Sequence, residues 1–361
     1  NKVNYWTGDE CRKFEKEFST WSESKYSVAL GNGTLALDIA FKALDISYGD
    51  EVIVTSRSYI ASISSIVNSG ATPVFADVDL KSQNITPESI RSVVTDKTKA
   101  IVCVHLAGWP CDMDEVMALA NENGWHVIED CAQAHGASYK GKSVGSIGHI
   151  GCWSFCQDKI MTTGGEGGMV TTNDEALWRK MWAYKDHGKS YEAVYESEQP
   201  KGNNFRWLNE SFGTNGRMTE MQAAIGRIQL KRMLDWHKKR LNNANYIWNA
   251  AKECKGLRVA TVPDYIKHAA YKCYVFVEGG VELRDKMMAQ INEKGVPCYS
   301  GACPEVYLEK AFDNTDFRPK KRLANAKKLG ESSLMFLVHP TLTKEEIKKT
   351  CDILIEVALA N

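Results

Sequence analysis

Short, continuously apolar runs that alternate with helical stretches constrain this chain more than any other feature. Residues 26–30, 51–55, 73–78, 100–104 and 126–129 are rich in Val, Ile and Ala and show no regular polar–apolar alternation. A strand wetted on one face alternates; a strand that is apolar throughout is buried on both faces. The stretches between the runs supply the cover. Residues 34–44, for example, place Leu37, Ala40, Phe41 and Leu44 on one helical face. Turn signals agree: Ser69-Gly70 precedes the third run, and Thr86-Pro87 reads as an N-cap followed by proline at the first helical position. The pattern predicts an α/β fold with a mostly parallel sheet flanked by helices.

From Met218 the pattern changes. Met221, Ala224, Ile225, Ile228, Met233 and Leu234 recur at three-to-four spacing, and a long helix is expected to about Glu253. Residues 271–277 read as a strand, and residues 283–294 and 343–360 as helices. The change divides the chain into a large α/β domain, residues 1–240, and a smaller C-terminal α+β domain, residues 241–361. At 361 residues and 43% hydrophobic content, the chain can fill two cores.

Charge narrows the partners. Lys plus Arg equals Asp plus Glu at 45 each, which argues against a nucleic-acid or anionic-membrane partner. No apolar run approaches the roughly 20 residues of a membrane-spanning helix. The first residues contain no signal-peptide core, so a cytoplasmic location is expected. Eleven scattered cysteines without CxxC spacing read as reduced thiols, and eight histidines without HExxH spacing predict no metal.

Three segments carry chemistry. Gly31-Asn32-Gly33-Thr34-Leu35-Ala36 lies between a strand and a helix and admits three readings. It matches a form of the dinucleotide fingerprint, although Glu51 begins the next strand instead of ending it; Arg57 at the far end could suit a phosphorylated ribose. It also suits a single phosphate held by the helix N-terminus with the Thr34 hydroxyl. The third reading is a plain strand–turn–helix. Asp130 stands at the carboxyl end of an apolar run, the edge where open α/β sheets bind ligands. Lys159 follows Ser154 by five residues and precedes Gly164-Gly165-Glu166-Gly167-Gly168. A lysine whose surroundings lower its pKa is a nucleophile toward aldehydes.

Taken in order, these residues resemble the DegT/StrS-type sugar aminotransferases, pyridoxal 5′-phosphate (PLP) enzymes of the aspartate-aminotransferase fold type I. The similarity spans essentially the whole chain. It rests on Gly33-Thr34-Leu35-Ala36-Leu37, Gly49-Asp50-Glu51-Val52-Ile53, residues 73–79, His105-Leu106-Ala107-Gly108, Pro110 with Asp112-Met113-Asp114, residues 129–134, Ser154-Phe155 with Lys159, and residues 213–218. Three features depart from the family pattern: the turn after Lys159 is one glycine longer, Thr214 replaces an aromatic, and Ser58 stands where a Thr is common.

The resemblance implies a large domain with a mixed, seven-stranded-type sheet and a smaller C-terminal domain. It implies that Lys159 binds the cofactor aldehyde covalently and later moves the proton, and that Asp130 pairs with the pyridine nitrogen. Gln133 would contact the ring oxygen and Tyr59 would stack on the ring. Gly33, Thr34 and Ser154 would hold the phosphate. Asn215 would reach the neighbouring subunit's phosphate in a homodimer with shared sites. Lys at position 159 favours transamination over the dehydration of relatives that carry His there.

The implied reaction moves an amino group from L-glutamate to a nucleotide-linked keto-sugar, a 4-keto-6-deoxyhexose, through the pyridoxamine 5′-phosphate form. The amino sugar would serve surface polysaccharide such as lipopolysaccharide O-antigen, another glycan or an antibiotic. A 3-keto sugar or keto-cyclitol is the neighbouring alternative. Lys185, His187, Arg206, Arg217, Tyr307 and His339 are the substrate-pocket candidates. Two readings of other classes compete: an NAD(P)-dependent oxidoreductase built on residues 31–36, and a non-catalytic PLP-binding regulator.

Overall fold

The computed structural model describes residue 5 and residues 8–196 and 207–361. Its centre is a seven-stranded sheet: β1 (Tyr26–Leu30), β2 (Glu51–Thr55), β3 (Thr72–Ala76), β4 (Thr98–Val104), β5 (His126–Asp130), β6 (Ile150–Ser154) and β7 (Gly168–Thr172). The spatial order is β1-β7-β6-β5-β4-β2-β3. The strands are parallel except β7, which runs antiparallel to both its neighbours.

The lack of alternation in the apolar runs has the expected cause. Val52, Val54, Val102 and Ile128 bury into a core on one face, against α2 (Gly33–Ala43). Ile53, Ile101, Cys103 and Val127 bury into a second core on the other face, with the helix Met113–Asn123. Thr86 caps the short helix Pro87–Arg91, its hydroxyl accepting from Ser89 N–H while the Ser89 hydroxyl bonds back.

Register converges the ends of four strands. Leu30 and Ser154 both pair with Gly168, and Asp130 pairs with Cys152. The carboxyl ends of β1, β5 and β6 therefore meet at one edge, with the start of β7 between β1 and β6.

The second sheet is antiparallel, in the order Leu257–Arg258, Cys273–Val277, Ser333–Phe336, Cys298–Tyr299. The helices Met233–Lys252, Val281–Glu293 and Lys344–Leu359 share its core. Residue 240 lies inside the first of these, so a division there cuts a continuous helix.

The periodic run from Met218 forms two helices, not one: Glu220–Leu230, opened by a Thr219–Gln222 capping box, and Met233–Lys252. Met221, Ile225, Ile228 and Leu234 are exposed. The buried face is instead Ala223, Gly226, Leu230 and Met233, because small residues let the first helix pack closely on Glu10–Trp21. Among the described residues, no helix is long and apolar enough to cross a membrane. All eleven cysteines are free.

Candidate active site

A cavity of about 1140 Å³ opens at the edge where the strand ends converge. Gly33, Thr34, Tyr59, Asp130, Gln133, Ser154 and Lys159 all line it.

The phosphate-sized corner is a consequence of close packing. Asn32 caps α2 by accepting from Leu35 N–H at 2.9 Å. A Cβ on Gly33 would sit 2.6 Å from Ser154 Cβ, and one on Gly168 would sit 2.2 Å from the Asn32 carbonyl. Only glycines let α2, β6 and β7 meet here. The result is a helix N-terminus with the Thr34 and Ser154 side chains beside it, which fits a phosphate dianion.

Asp130 ends β5 and is 7% exposed. Its Oδ2 accepts from the Ser62 hydroxyl at 2.7 Å, and its Oδ1 from Ala132 N–H at 3.1 Å. The Ser58 and Ser62 hydroxyls are 3.0 Å apart, so three residues hold the carboxylate in one orientation. The Gln133 side-chain carbonyl accepts from Ala107 N–H at 2.9 Å, which leaves its NH₂ group as the donor for a ligand. Tyr59 is 69% exposed at the rim.

Lys159 rides on a loop that folds back on itself. Its own N–H bonds the Cys156 carbonyl, Phe155 N–H bonds Gly167 and Gln157 N–H bonds Gly165. The ammonium lies 5.4 Å from the Tyr271 ring centroid and 3.8 Å from Asp158 Oδ1. Asp158 Oδ2 accepts the Tyr271 hydroxyl at 2.5 Å. Burial would raise the Asp158 pKa, but the Tyr271 hydrogen bond and the adjacent lysines outweigh it and hold the carboxyl below its ordinary value.

Behind β5, Glu129 faces away from the cavity. His105 Nδ1 accepts from Cys111 N–H, so Nε2 carries the proton and donates to Glu129 Oε2 at 2.9 Å. The N–H groups of Gly145, Ile147 and Gly148 complete the carboxylate's partners at 2.9, 2.9 and 2.6 Å. Burial works against this charge, yet His105 and these amides more than offset it, and the Glu129 pKa falls below 4.5. His105, Glu129 and Cys131 cluster closely enough to suggest a metal site. Glu129 and His105 are instead spent on one another and on backbone amides, which makes the group a strut behind Asp130.

None of the described substrate candidates lines the cavity. Lys185 is buried with its ammonium 3.4 Å from Glu15. Arg217 pairs with Asp186 at 2.5 Å. Tyr307 is buried, its hydroxyl on Glu305 and its ring on Phe75. His339 bonds the Thr341 hydroxyl and does not line the cavity, although Arg240 and Lys272 contribute to lowering its pKa after burial. His187 and Asn215 are exposed, and Asn215 forms a backbone bridge to Asp186. Arg206 lies outside the described residues.

Arg57 is fully buried, donating to Gln83 and Ser333, so it cannot serve a ribose phosphate near residues 31–36. The cavity wall that sequence reasoning missed comes from Tyr271, Lys272, Tyr274, Tyr299 and residues 301–303.

A sequence model of the DegT/DnrJ/EryC1/StrS aminotransferase family matches residues 1–355. The structure of an aminotransferase from Psychrobacter cryohalolentis superposes with a TM-score of 0.96 at 65% identity, covering 100% of this chain and 94% of that one. GDP-perosamine synthase of Escherichia coli O157:H7 is 40% identical over 256 residues, 68% of this chain and 67% of that protein. A dTDP-3-amino-3,6-dideoxy-alpha-D-galactopyranose transaminase of Aneurinibacillus thermoaerophilus is 32% identical over 350 residues, 96% of this chain and 90% of that protein. The chain belongs to the DegT/DnrJ/EryC1/StrS aminotransferase family and is a PLP-dependent aminotransferase.

Proposed function

We propose that this enzyme transfers the amino group of L-glutamate to the keto carbon of a nucleotide-linked sugar, a 4-keto-6-deoxyhexose. One observation carries the reading: a lysine, a fixed carboxylate and a helix N-terminus flanked by hydroxyls line a single cavity. At about 1140 Å³ the cavity exceeds the roughly 300–1,000 Å³ of ordinary ligand pockets, which suits a cofactor plus a sugar. The nucleotide-sugar names of the relatives support the acceptor class.

Lys159 would hold PLP, Asp130 its ring nitrogen, Gln133 its ring oxygen, Tyr59 its face, and Thr34, Ser154 and the α2 N-terminus its phosphate. When bound, PLP supplies an electron sink and a carrier for the amino group. Lys159, once released, takes the proton from the donor carbon and returns it on the other side of the transfer; its amine stays where the proton must move. Asp130 keeps its charge aimed by Ser62 and the Ala132 N–H. Loop 155–166 holds Lys159 through its backbone bonds.

A homodimer would complete the site. The exposed Met221, Ile225 and Ile228 form an apolar stripe on the helix beside the glycine turn, where a Cβ on Gly164 would lie 3.0 Å from Ile225. A second copy covering this stripe would bring Asn215 toward a neighbouring phosphate corner. Residues 1–240 and 241–361 are proposed as the large and small domains.

The test is an absorbance titration of the PLP-loaded enzyme with L-glutamate, followed by nucleotide keto-sugars. Glutamate should bleach the cofactor's visible band, and a 4-keto sugar should restore it. A panel in which a 3-keto sugar alone restores it would move the keto position. Restoration by no nucleotide sugar would remove the acceptor class.

A further inference from the structure

Lys272 is a cation that the protein itself does not neutralise. Among the described residues, no carboxylate lies within 4 Å of its ammonium and no hydrogen-bond acceptor engages it. It is only partly exposed and lines the cavity. Its one close neighbour is the Tyr271 ring, 4.8 Å from the ammonium. The nearby carboxylate, Asp158, is committed to the Tyr271 hydroxyl and faces Lys159. Burial lowers the Lys272 pKa; Asp158 opposes that shift, while Arg240 and Lys159 add to it. An unpaired, partly desolvated cation is costly to keep, so a lysine held this way is suited to a ligand anion.

Its position selects which anion. Lys159 and Lys272 rest against the same aromatic ring, at 5.4 and 4.8 Å from its centroid. In an amino-acid donor, the carbon that gives up the amine also bears a carboxylate. That carboxylate must come within one carbon–carbon bond of the atom that Lys159 serves. A sugar's diphosphate hangs on the anomeric carbon, several bonds from the keto carbon. The cofactor's phosphate is accounted for by Gly33, Thr34 and Ser154.

We propose that Lys272 binds the α-carboxylate of the amino donor and so makes the first half of the reaction selective for amino acids over simple amines. The inference rests on the amino-donor half of the proposed function and adds the residue that recognises it.

The test compares PLP-loaded wild type, Lys272→Gln and Lys272→Arg in absorbance titrations with L-glutamate. Calorimetric binding of 2-oxoglutarate to the pyridoxamine form gives a readout independent of turnover. A lost charge-assisted hydrogen bond predicts a ten- to hundredfold weaker glutamate half-saturation and 2-oxoglutarate binding in Lys272→Gln, on the order of such contacts elsewhere. Lys272→Arg should recover most of both. Cofactor content, melting temperature and the acceptor KM should hold. An unchanged glutamate half-saturation overturns the proposal, as does a rise confined to the acceptor KM, which would assign Lys272 to the diphosphate. If glutamate leaves wild type unbleached, the glutamate assignment fails by itself. The same titration is then run with whichever amino acid converts wild type, since every α-amino acid carries the carboxylate in question.

Discussion

The two walls of the cavity differ in how they treat charge. On the wall built from the large sheet, the acids at the end of β5 are satisfied by the protein, whereas Asp38 Oδ1 on α2 has no partner. Asp130 accepts from Ser62 and Ala132, and Glu129 behind it accepts from His105 and three backbone amides. On the facing wall, cationic groups lack close partners. Lys272 has no carboxylate within reach among the described residues, and behind it Arg240 Nε and Arg57 Nη1 have no acceptor. Burial presses the Arg240 pKa down to about 10 and lowers that of Arg57. The Asp130 end of the first wall is fixed by the protein and suits a resident cofactor. The second presents the unpaired Lys272 ammonium and suits an anionic substrate that comes and goes.

The sharpest break of this comparison is at Lys159. Lys159→Ala should lower turnover by at least about 10²–10⁴-fold, the usual worth of a positioned proton-transfer group. It should also abolish the borohydride-trappable linkage to the cofactor. Retention of that linkage would place the aldehyde on another lysine, and Lys272 would be the first to examine.

Next in size is the strut behind the first wall. In Glu129→Gln an NH₂ group must face two N–H donors where an acceptor stood, and each buried donor left unsatisfied costs about 1–3 kcal/mol. The pH dependence has a defined sign. The folded Glu129 pKa lies below 4.5, so its stabilisation is present above that pH and is lost as the pH falls through the folded value. Melting curves of wild type and variant from pH 7 to 3 should converge on the acid side. Parallel curves would mean that Glu129 is not the acid-labile group.

The phosphate corner comes third. Gly33→Ala inserts a methyl 2.6 Å from Ser154 Cβ. Overpacking of this kind costs about 1–3 kcal/mol, so PLP affinity should fall by about ten- to a hundredfold while the fold persists. Unchanged affinity would remove residues 33 and 34 from the phosphate corner.

The walls also differ in how legible they were. Asp130 announces itself because it ends an apolar strand, and Lys159 because it precedes a glycine turn with Ser154 five residues before it; a local pattern suffices, although the strand Ile150–Ser154 itself was not read from the sequence. Tyr271 and Lys272 reach Asp158 and Lys159 across more than a hundred residues, and no local pattern encodes that meeting. Arg57 looked ligand-facing because it follows a strand, yet Gln83 and Ser333 bury it. Tyr307 and Lys185 have side-chain types that suit a pocket, but Glu305 and Glu15 engage them within the chain. The stripe of Met221, Ile225 and Ile228 shows the limit of periodicity. It identified a helix with an apolar face and could not say whether that face meets the core or another molecule.

The smallest predicted effect probes the second wall through a neutral side chain that Arg57 faces at 5.6 Å. Tyr274 is buried, and its hydroxyl accepts from Ala302 N–H at 2.8 Å, tying the loop of residues 301–303 to the cavity. Tyr274→Phe keeps the ring and removes the hydroxyl that accepts from Ala302 and interacts with Arg57. A net hydrogen bond of about 1 kcal/mol is roughly a fivefold change in equilibrium. If this loop frames the acceptor, the nucleotide-sugar KM should rise severalfold while the glutamate half-reaction and the visible spectrum stay as in wild type. A change confined to the glutamate step would merge this loop with the Lys272 region into a single donor site. The division of the second wall into donor and acceptor segments would then fail, even with its contrast to the first wall intact.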